Sequence, residues 1–197
     1  MLEGGVQFAP SGPSRLTLQP DSFDIIPVAP DGNCLFASLA VAYVCQLLKK
    51  QTPSAALSTV WGGHNRALYL RQMAIELENG WSFPGTGVTA ASLMKSSSGM
   101  DPDEYMLRMQ SWTECRSQWG GFFEIVYHAC KWKANVHIFC RESGGPAIRH
   151  LTSATSPEAT DKNCALVWSG THYDCVLLRP AGLAAVSCCG FVESLVS

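Results

Sequence analysis

The stretch at 30–36, PDGNCLF, has the pattern of a turn that is followed directly by a helix. Asp31, Gly32 and Asn33 are turn-forming residues, and a largely apolar run from 34 to 48 begins directly after them. The pattern therefore predicts that Cys34 lies in the first turn of a buried central helix.

A cysteine in the first turn of a helix is a candidate nucleophile. Unpaired backbone N–H groups and the positive end of the helix dipole collect there, which predicts a lowered pKa for the Cys34 thiol. Gly32 lets the preceding loop turn its backbone N–H groups inward, as an oxyanion hole requires. The alternative is a buried structural cysteine, which is common in apolar helices.

A nucleophilic cysteine needs a base, and the segment at 171–178, THYDCVLL, offers one. If this segment is a strand, His172 and Asp174 point to the same face. Their Cα atoms are then roughly 6.5–7 Å apart, so the carboxylate can reach one imidazole nitrogen while the other faces the thiol. The carboxylate would fix the tautomer and stabilise the imidazolium. The alternative is a histidine at a strand edge with an exposed aspartate beside it.

Length and charge limit the classes of function. The chain has 197 residues, with 14 Lys and Arg against 16 Asp and Glu. This length indicates one domain. The balanced charge lacks the basic stripe with which proteins bind nucleic acid, so we expect no nucleic-acid partner. The apolar run at 34–48 is shorter than the ~20 residues of a membrane-spanning helix, so we expect no membrane partner.

The cysteines indicate a reducing compartment. There are nine, at scattered positions and without a C-x-x-C pair. The odd number and the absence of a recognisable signal peptide favour reduced thiols over a disulfide framework. Cys and His also lack the short paired spacings of a zinc site, so no metal is expected. We expect a monomer in the cytoplasm, or in the host cytoplasm if the chain comes from a pathogen.

Helical patterns fill the first two thirds of the chain and strand patterns the last third, which predicts an α+β fold. The predicted elements are an edge strand at 23–28, helices at 34–50, 65–78 and 122–133, a helix that begins at 101–104, and strands at 135–140, 147–151, 164–168 and 172–178. Residues 81–99 are predicted to be a loop. Residues 1–21 are expected to form a loose leader, 22–179 the domain, and 180–197 a tail of unassigned role.

Two helices carry a predicted inward face. In the helix at 65–78 the apolar residues are expected to face the core, and these are Leu68, Met73, Ile75 and Leu77. The helix that begins at 101–104 starts with a cap, a proline and an acidic residue, and it is expected to turn Met106 and Met109 inward.

Three motifs in order resemble the ovarian-tumour (OTU) family of cysteine proteases. They are PDGNCLF at 30–36, WGGFFEI at 119–125 and THYD at 171–174. The resemblance runs from about residue 23 to residue 179. It implies a papain-like fold with a small, mostly antiparallel sheet between helices and the nucleophile at the start of the central helix.

The resemblance also implies a role for each matching residue. Cys34 matches the nucleophile, His172 the general base and Asp174 the residue that orients the base, while Asp31 matches a loop aspartate often counted with the catalytic set. The backbone N–H groups of Gly32, Asn33 and Cys34 would hold the oxyanion.

The resemblance implies a substrate as well. Members of the family hydrolyse the isopeptide bond between the C-terminal glycine of ubiquitin, or of a ubiquitin-like modifier, and a lysine. The implied partners are therefore ubiquitin or polyubiquitin chains, and no cofactor is implied. Two other classes stay open: a catalytically inactive OTU-like adaptor that binds ubiquitin, and a Cys/His metal-binding interaction protein.

Overall fold

A computed structural model describes residues 16–110, 119–142, 145–159 and 161–188. In chain order they form β1 (Thr17–Leu18), β2 (Phe23–Ile26), α1 (Cys34–Ala42), α2 (Pro53–Thr59), α3 (Gly62–Glu78), α4 (Ala90–Ser98), α5 (Pro102–Gln110), α6 (Phe122–Trp132), β3 (Asn135–Arg141), β4 (Ile148–Thr155), β5 (Asn163–Trp168), β6 (Tyr173–Leu178) and α7 (Pro180–Cys188). A 3₁₀ turn precedes β2 at Pro20–Ser22, and a π-helical turn continues α1 at Tyr43–Leu47.

The strands of these ranges form one six-stranded sheet in the order β1-β4-β3-β5-β6-β2. Only the pair β3 and β5 is parallel, and the other neighbours are antiparallel. β2 lies at an edge, as predicted, and it ends before Pro27, whose ring nitrogen has no hydrogen to donate. β4 is longer than the predicted strand at 147–151.

Helix α1 is buried on nearly every side. Leu35, Phe36, Leu39 and Val41 are each at most 2% exposed, because α1 packs between the sheet and the other helices. The opposite face of the sheet is covered by a second apolar cluster that includes Val186 of α7. The predicted α+β class is confirmed, with a mostly antiparallel sheet between helices and Cys34 at the start of the central helix.

The predicted inward face of α3 is wrong in part. Met73 is fully buried, but Leu68 and Ile75 are 46% and 50% exposed. The face that is turned inward instead carries Arg66 and Tyr69, 2% and 3% exposed. These polar side chains are buried because hydrogen-bond partners on α5 and α6 receive them, which apolar periodicity does not reveal.

The loop predicted at 81–99 is wrong in its second half, which forms α4. Thr89 caps this helix by accepting the backbone N–H of Ser92 at 3.1 Å, and Gly99 ends it in the left-handed conformation. Three consecutive serines favoured a loop, but Met94 is fully buried and holds the segment against the core. The helix predicted from residue 101 is confirmed as α5, with Met106 and Met109 buried.

Packed structure extends on both sides of the boundaries expected at 21 and 179. Thr17–Leu18 is a strand that pairs with β4, although residues 1–15 lie outside the described residues. Beyond 179, helix α7 lies so close to the 3₁₀ turn that a Cβ at Gly182 would come within 2.4 Å of the Ser22 carbonyl oxygen. Within the described ranges, no helix has the length and apolar character needed to cross a membrane.

Candidate active site

Cys34 is the first residue of α1 and lies against the start of β6. Four residues further along the same helix face, the Ser38 hydroxyl donates to the backbone oxygen of Tyr173 at 3.0 Å. The backbone of Tyr173, the neighbour of His172, is among the groups that act on the pKa of the Cys34 thiol. The packing of α1 on β6 therefore places the candidate nucleophile near the residue that follows the candidate base.

The expected lowering of the pKa of the Cys34 thiol is wrong. Cys34 is only 7% exposed, and its burial raises the pKa above the usual value. Hydrogen bonds from the backbone of Tyr173 and Leu35 act in the opposite direction, while the negative charges of Asp31 and Asp174 raise the pKa further. A helix N-terminus contributes about 0.3–1 kcal/mol, less than one pKa unit, whereas full burial can shift a pKa by several units. Desolvation therefore outweighs the dipole.

His172 and Asp174 form the predicted pair. Nε2 of His172 donates to Oδ1 of Asp174 at 2.9 Å, because a carboxylate can only accept. The same oxygen accepts the backbone N–H of Val28 at 3.0 Å, which fixes the carboxylate between β6 and the chain that follows β2. The other ring nitrogen of His172, Nδ1, is then the one that can accept a thiol proton.

The loop before α1 is shaped by Asp31. Its Oδ1 accepts the backbone N–H of Asn33 at 2.9 Å, and Gly32 between them has a φ of +81° that favours glycine. Because the N–H of Asn33 is already donated, it does not serve as an oxyanion donor in this conformation, contrary to expectation. The N–H groups of Gly32 and Cys34 remain, and that of Cys34 lies in the first turn, where a helix offers no internal acceptor.

The Trp-Gly-Gly motif acts through close packing. A Cβ at Gly120 would come within 2.8 Å of a Leu35 side-chain atom, so any larger residue would make this buried side chain of α1 shift. The next residue, Gly121, donates its backbone N–H to Oε2 of Glu124 at 2.7 Å and so begins α6. The motif thus fixes the position of α6 relative to Cys34.

Glu124 is a buried residue that the sequence reasoning did not single out. It is 0% exposed and accepts the hydroxyl groups of Tyr69 and Tyr105, which joins α3, α5 and α6. Burial raises the pKa of Glu124, and the hydrogen bonds that it accepts act against that rise. Its position three residues after Gly121, typical of a helix cap, was the available signal.

Two of the remaining histidines lie on the sheet and two on helices. His137 and His150 both contact the Ser153 hydroxyl within the sheet and are buried, and burial lowers the pKa of each. His128 is half-buried in α6, while His64 is exposed on α3. Among the described residues, no group of three or more His, Cys, Asp and Glu side chains is placed to hold a metal ion.

Comparison with known proteins identifies the fold. No family model and no curated protein matches the sequence. The crystal structure of the viral OTU domain protease from Taggert virus is similar at a TM-score of 0.52 and 19% identity, over 84% of this chain and 86% of that chain. The corresponding protease from Dera Ghazi Khan virus is similar at a TM-score of 0.51 and 16% identity, over the same shares. The chain has the OTU fold, as its three motifs led us to expect.

Proposed function

We propose that this protein is a thiol-dependent isopeptidase. It hydrolyses the bond between the C-terminal glycine of ubiquitin, or of a ubiquitin-like modifier, and a substrate lysine. Cys34 is the nucleophile, His172 the general base and Asp174 the residue that orients it. Asp31 shapes the oxyanion loop, in which the N–H groups of Gly32 and Cys34 are the donors. The OTU fold and the three motifs support this proposal.

The observation that carries the proposal is the doubly anchored carboxylate of Asp174. Because its Oδ1 holds Nε2 of His172 at 2.9 Å and the Val28 N–H at 3.0 Å, the ring presents Nδ1 on a fixed backbone frame. The backbone of Tyr173, the residue between this pair, is also among the groups that act on the Cys34 thiol. In the alternative, a strand-edge histidine has an exposed aspartate beside it, whereas the side chain of Asp174 is only 18% exposed.

This geometry supports a reaction through an acyl-enzyme. Nδ1 of His172 takes the thiol proton, and the sulfur attacks the glycine carbonyl carbon to form a tetrahedral intermediate. The oxyanion is held by backbone N–H groups, while Asp174 stabilises the imidazolium. The C–N bond breaks, and His172 returns the proton to the departing lysine amine. Water, activated by the same imidazole, then hydrolyses the thioester and regenerates the thiol.

The small exposure of Cys34 favours a slender substrate. Because the residue is only 7% exposed, its sulfur is reached more easily by a flexible chain end without side chains than by a segment with bulky residues. A modifier that ends in glycines, as the family resemblance implies, satisfies this requirement. The raised pKa of the thiol further implies that proton transfer to His172 accompanies the attack.

A covalent probe tests the proposal. The full chain is incubated with ubiquitin that carries a C-terminal electrophile, and intact mass spectrometry measures the adduct. We expect a one-to-one adduct that Cys34→Ala abolishes and that Cys140→Ala, a change at another free cysteine, leaves intact. A panel of di-ubiquitin linkages and ubiquitin-like precursors then identifies the modifier. Cleavage by Cys34→Ala at the wild-type rate would refute the proposal.

The raised pKa of Cys34 favours a second candidate, an inactive adaptor that binds ubiquitin without cleaving it. Such a protein would bind the probe in a titration but form no adduct over hours at pH 8. Adduct formation excludes the adaptor.

We also propose that the protein acts as a monomer in the cytoplasm. Cys34, Cys45, Cys130, Cys140, Cys164 and Cys175 are all free, which supports a reducing compartment.

A further inference from the structure

A cleft lies beside the candidate active site, on the α2–α3 side of the oxyanion loop. It has a volume of about 420 Å³ and lies between the loop at 27–33, helix α1 and the connection from α2 to α3. Asp31 and Asn33 belong to its wall, whereas Cys34 and His172 do not. The cleft and the candidate active site therefore share the loop that precedes Cys34.

One wall of this cleft is apolar and unusually exposed. Trp61 is 74% exposed and Leu57 is 41% exposed, and both line the cleft. Trp61 is held beside the loop because the next residue, Gly62, packs against it. A Cβ on Gly62 would lie 2.8 Å from both Cβ and the carbonyl oxygen of Asn33. An exposed tryptophan on such a fixed support is a favourable surface for an alkyl chain or a cation.

The other wall is electronegative. The exposed carboxylate of Asp31 uses Oδ1 to accept the Asn33 N–H, which leaves Oδ2 for a ligand. Asn33 is 2% exposed, its Nδ2 donates to the Asp31 backbone oxygen at 3.4 Å, and its buried Oδ1 has no hydrogen-bond partner. An unpaired buried carbonyl oxygen is costly, and its negative dipole end stabilises a cation near it. The lining residues include no Lys or Arg, and His64 is the other titratable group among them.

We propose that this cleft binds a lysine or arginine side chain of the substrate. The alkyl stem lies on Leu57 and Trp61, and the charged group meets the Asp31 carboxylate in the field of the Asn33 amide oxygen. This inference rests on the proposed function, since it names what the substrate presents next to the scissile bond. The side chain comes from one of two sources, the C-terminal tail of the modifier or the acceptor segment beside the modified lysine.

The test uses ubiquitin joined through an isopeptide bond to short acceptor peptides. In one arm, the acceptor residue beside the modified lysine is Lys, norleucine or Glu. In the other arm, the basic residues of the ubiquitin tail are replaced singly by norleucine. The enzymes are the wild-type chain, Trp61→Ala, Trp61→Phe and a matched control, Leu107→Ala. Leu107 is 63% exposed on α5 and outside the cleft.

We expect that norleucine in place of the recognised basic residue raises the wild-type KM about tenfold with little change in kcat. Trp61→Ala removes this difference by raising the KM for the basic substrate, while Trp61→Phe and Leu107→Ala retain it. The arm that shows the effect identifies the source of the side chain. Equal loss on all substrates with Trp61→Ala, or no wild-type preference in either arm, overturns the inference.

Binding separates this inference from the proposed activity. The same conjugates are titrated against Cys34→Ala by fluorescence anisotropy, and the Kd for the basic conjugate is expected to be about tenfold lower than for norleucine. A preference in Kd without any cleavage by the wild-type chain supports the cleft and refutes the isopeptidase. Cleavage without a preference in either measurement refutes the cleft alone.

Discussion

Asp174 holds two groups of the candidate site at once, so its replacement should change activity and stability by different amounts. Its Oδ1 accepts Nε2 of His172 at 2.9 Å and the Val28 N–H at 3.0 Å. Asp174→Ala removes both hydrogen bonds. Asp174→Asn keeps an acceptor oxygen in the same place and removes only the negative charge.

The expected magnitudes follow from these contacts. A hydrogen bond to a charged group contributes about 1.5–3 kcal/mol, so loss of the bond to the imidazolium lowers kcat about 10- to 150-fold in Asp174→Ala. Asp174→Asn retains a neutral bond, and a difference of about 1–1.5 kcal/mol corresponds to a 5- to 15-fold loss. The unpaired Val28 N–H, in a residue 8% exposed, costs the alanine variant about 1–3 kcal/mol of folding free energy.

Two measurements on the same preparations check this reasoning. Single-turnover cleavage of a ubiquitin–peptide isopeptide gives the rates, and thermal denaturation gives the stabilities. In a chain of this size, each kcal/mol lowers the Tm by about 2–4 °C, so Asp174→Ala should melt several degrees below Asp174→Asn. If Asp174→Asn is slower than Asp174→Ala, or if both variants melt together with the wild type, the double role assigned to this carboxylate is wrong.

Three further predictions concern the glycines around α1 and a buried histidine. Gly120→Ala should lower the free energy of unfolding by about 1–3 kcal/mol, because its Cβ would come within 2.8 Å of a leucine side chain of α1. Gly121→Ala, with nothing within 4 Å, is the control in urea unfolding, and equal losses would count against the packing argument. Gly62→Ala should displace the oxyanion loop, because its Cβ would lie 2.8 Å from Asn33. In steady-state assays we expect a lower kcat with a smaller change in KM, and an unchanged kcat would contradict this. Burial lowers the pKa of His150 from 6.5 to about 4. As the pH falls, the His150 imidazole is therefore protonated in the unfolded chain before it is protonated in the folded one. The free energy of unfolding should fall by up to about 3 kcal/mol between pH 6.5 and pH 4. Replacement of His150 by Gln should weaken this dependence of the unfolding free energy on pH, measured by urea unfolding. An unaltered dependence would contradict its assignment to His150.

Local sequence signals predicted the framework of the candidate site. The turn residues before Cys34 end a loop and begin α1 within four positions. Helix caps, and the alternation of side chains between the two faces of a strand, also depend only on residues a few positions apart. For this reason the start of α1 and the pairing of His172 with Asp174 could be predicted without coordinates. The Gly120–Gly121 pair was also recognisable, although its function, the close approach of α6 to α1, was not.

Predictions that depended on burial were less successful. The exposed Leu68 and Ile75 and the buried Arg66 on α3 reverse what apolar periodicity indicates, because partners distant in sequence decide which polar groups can leave water. Helix α4 was missed for a related reason. Its serine run has little helical preference, and the buried Met94 holds it against the core.

For this chain, the sequence alone determined which residues are candidates for catalysis and in which order they follow one another along the chain. Both properties depend on residue type and on neighbours a few positions away. Tertiary structure decided how those groups behave. Packing of α1 on β6 desolvates the Cys34 thiol and raises its pKa, and the contact between Asp31 and Asn33 commits one of the expected oxyanion donors. Desolvation and the pairing of backbone groups are set by atoms from distant parts of the chain, which local patterns do not specify.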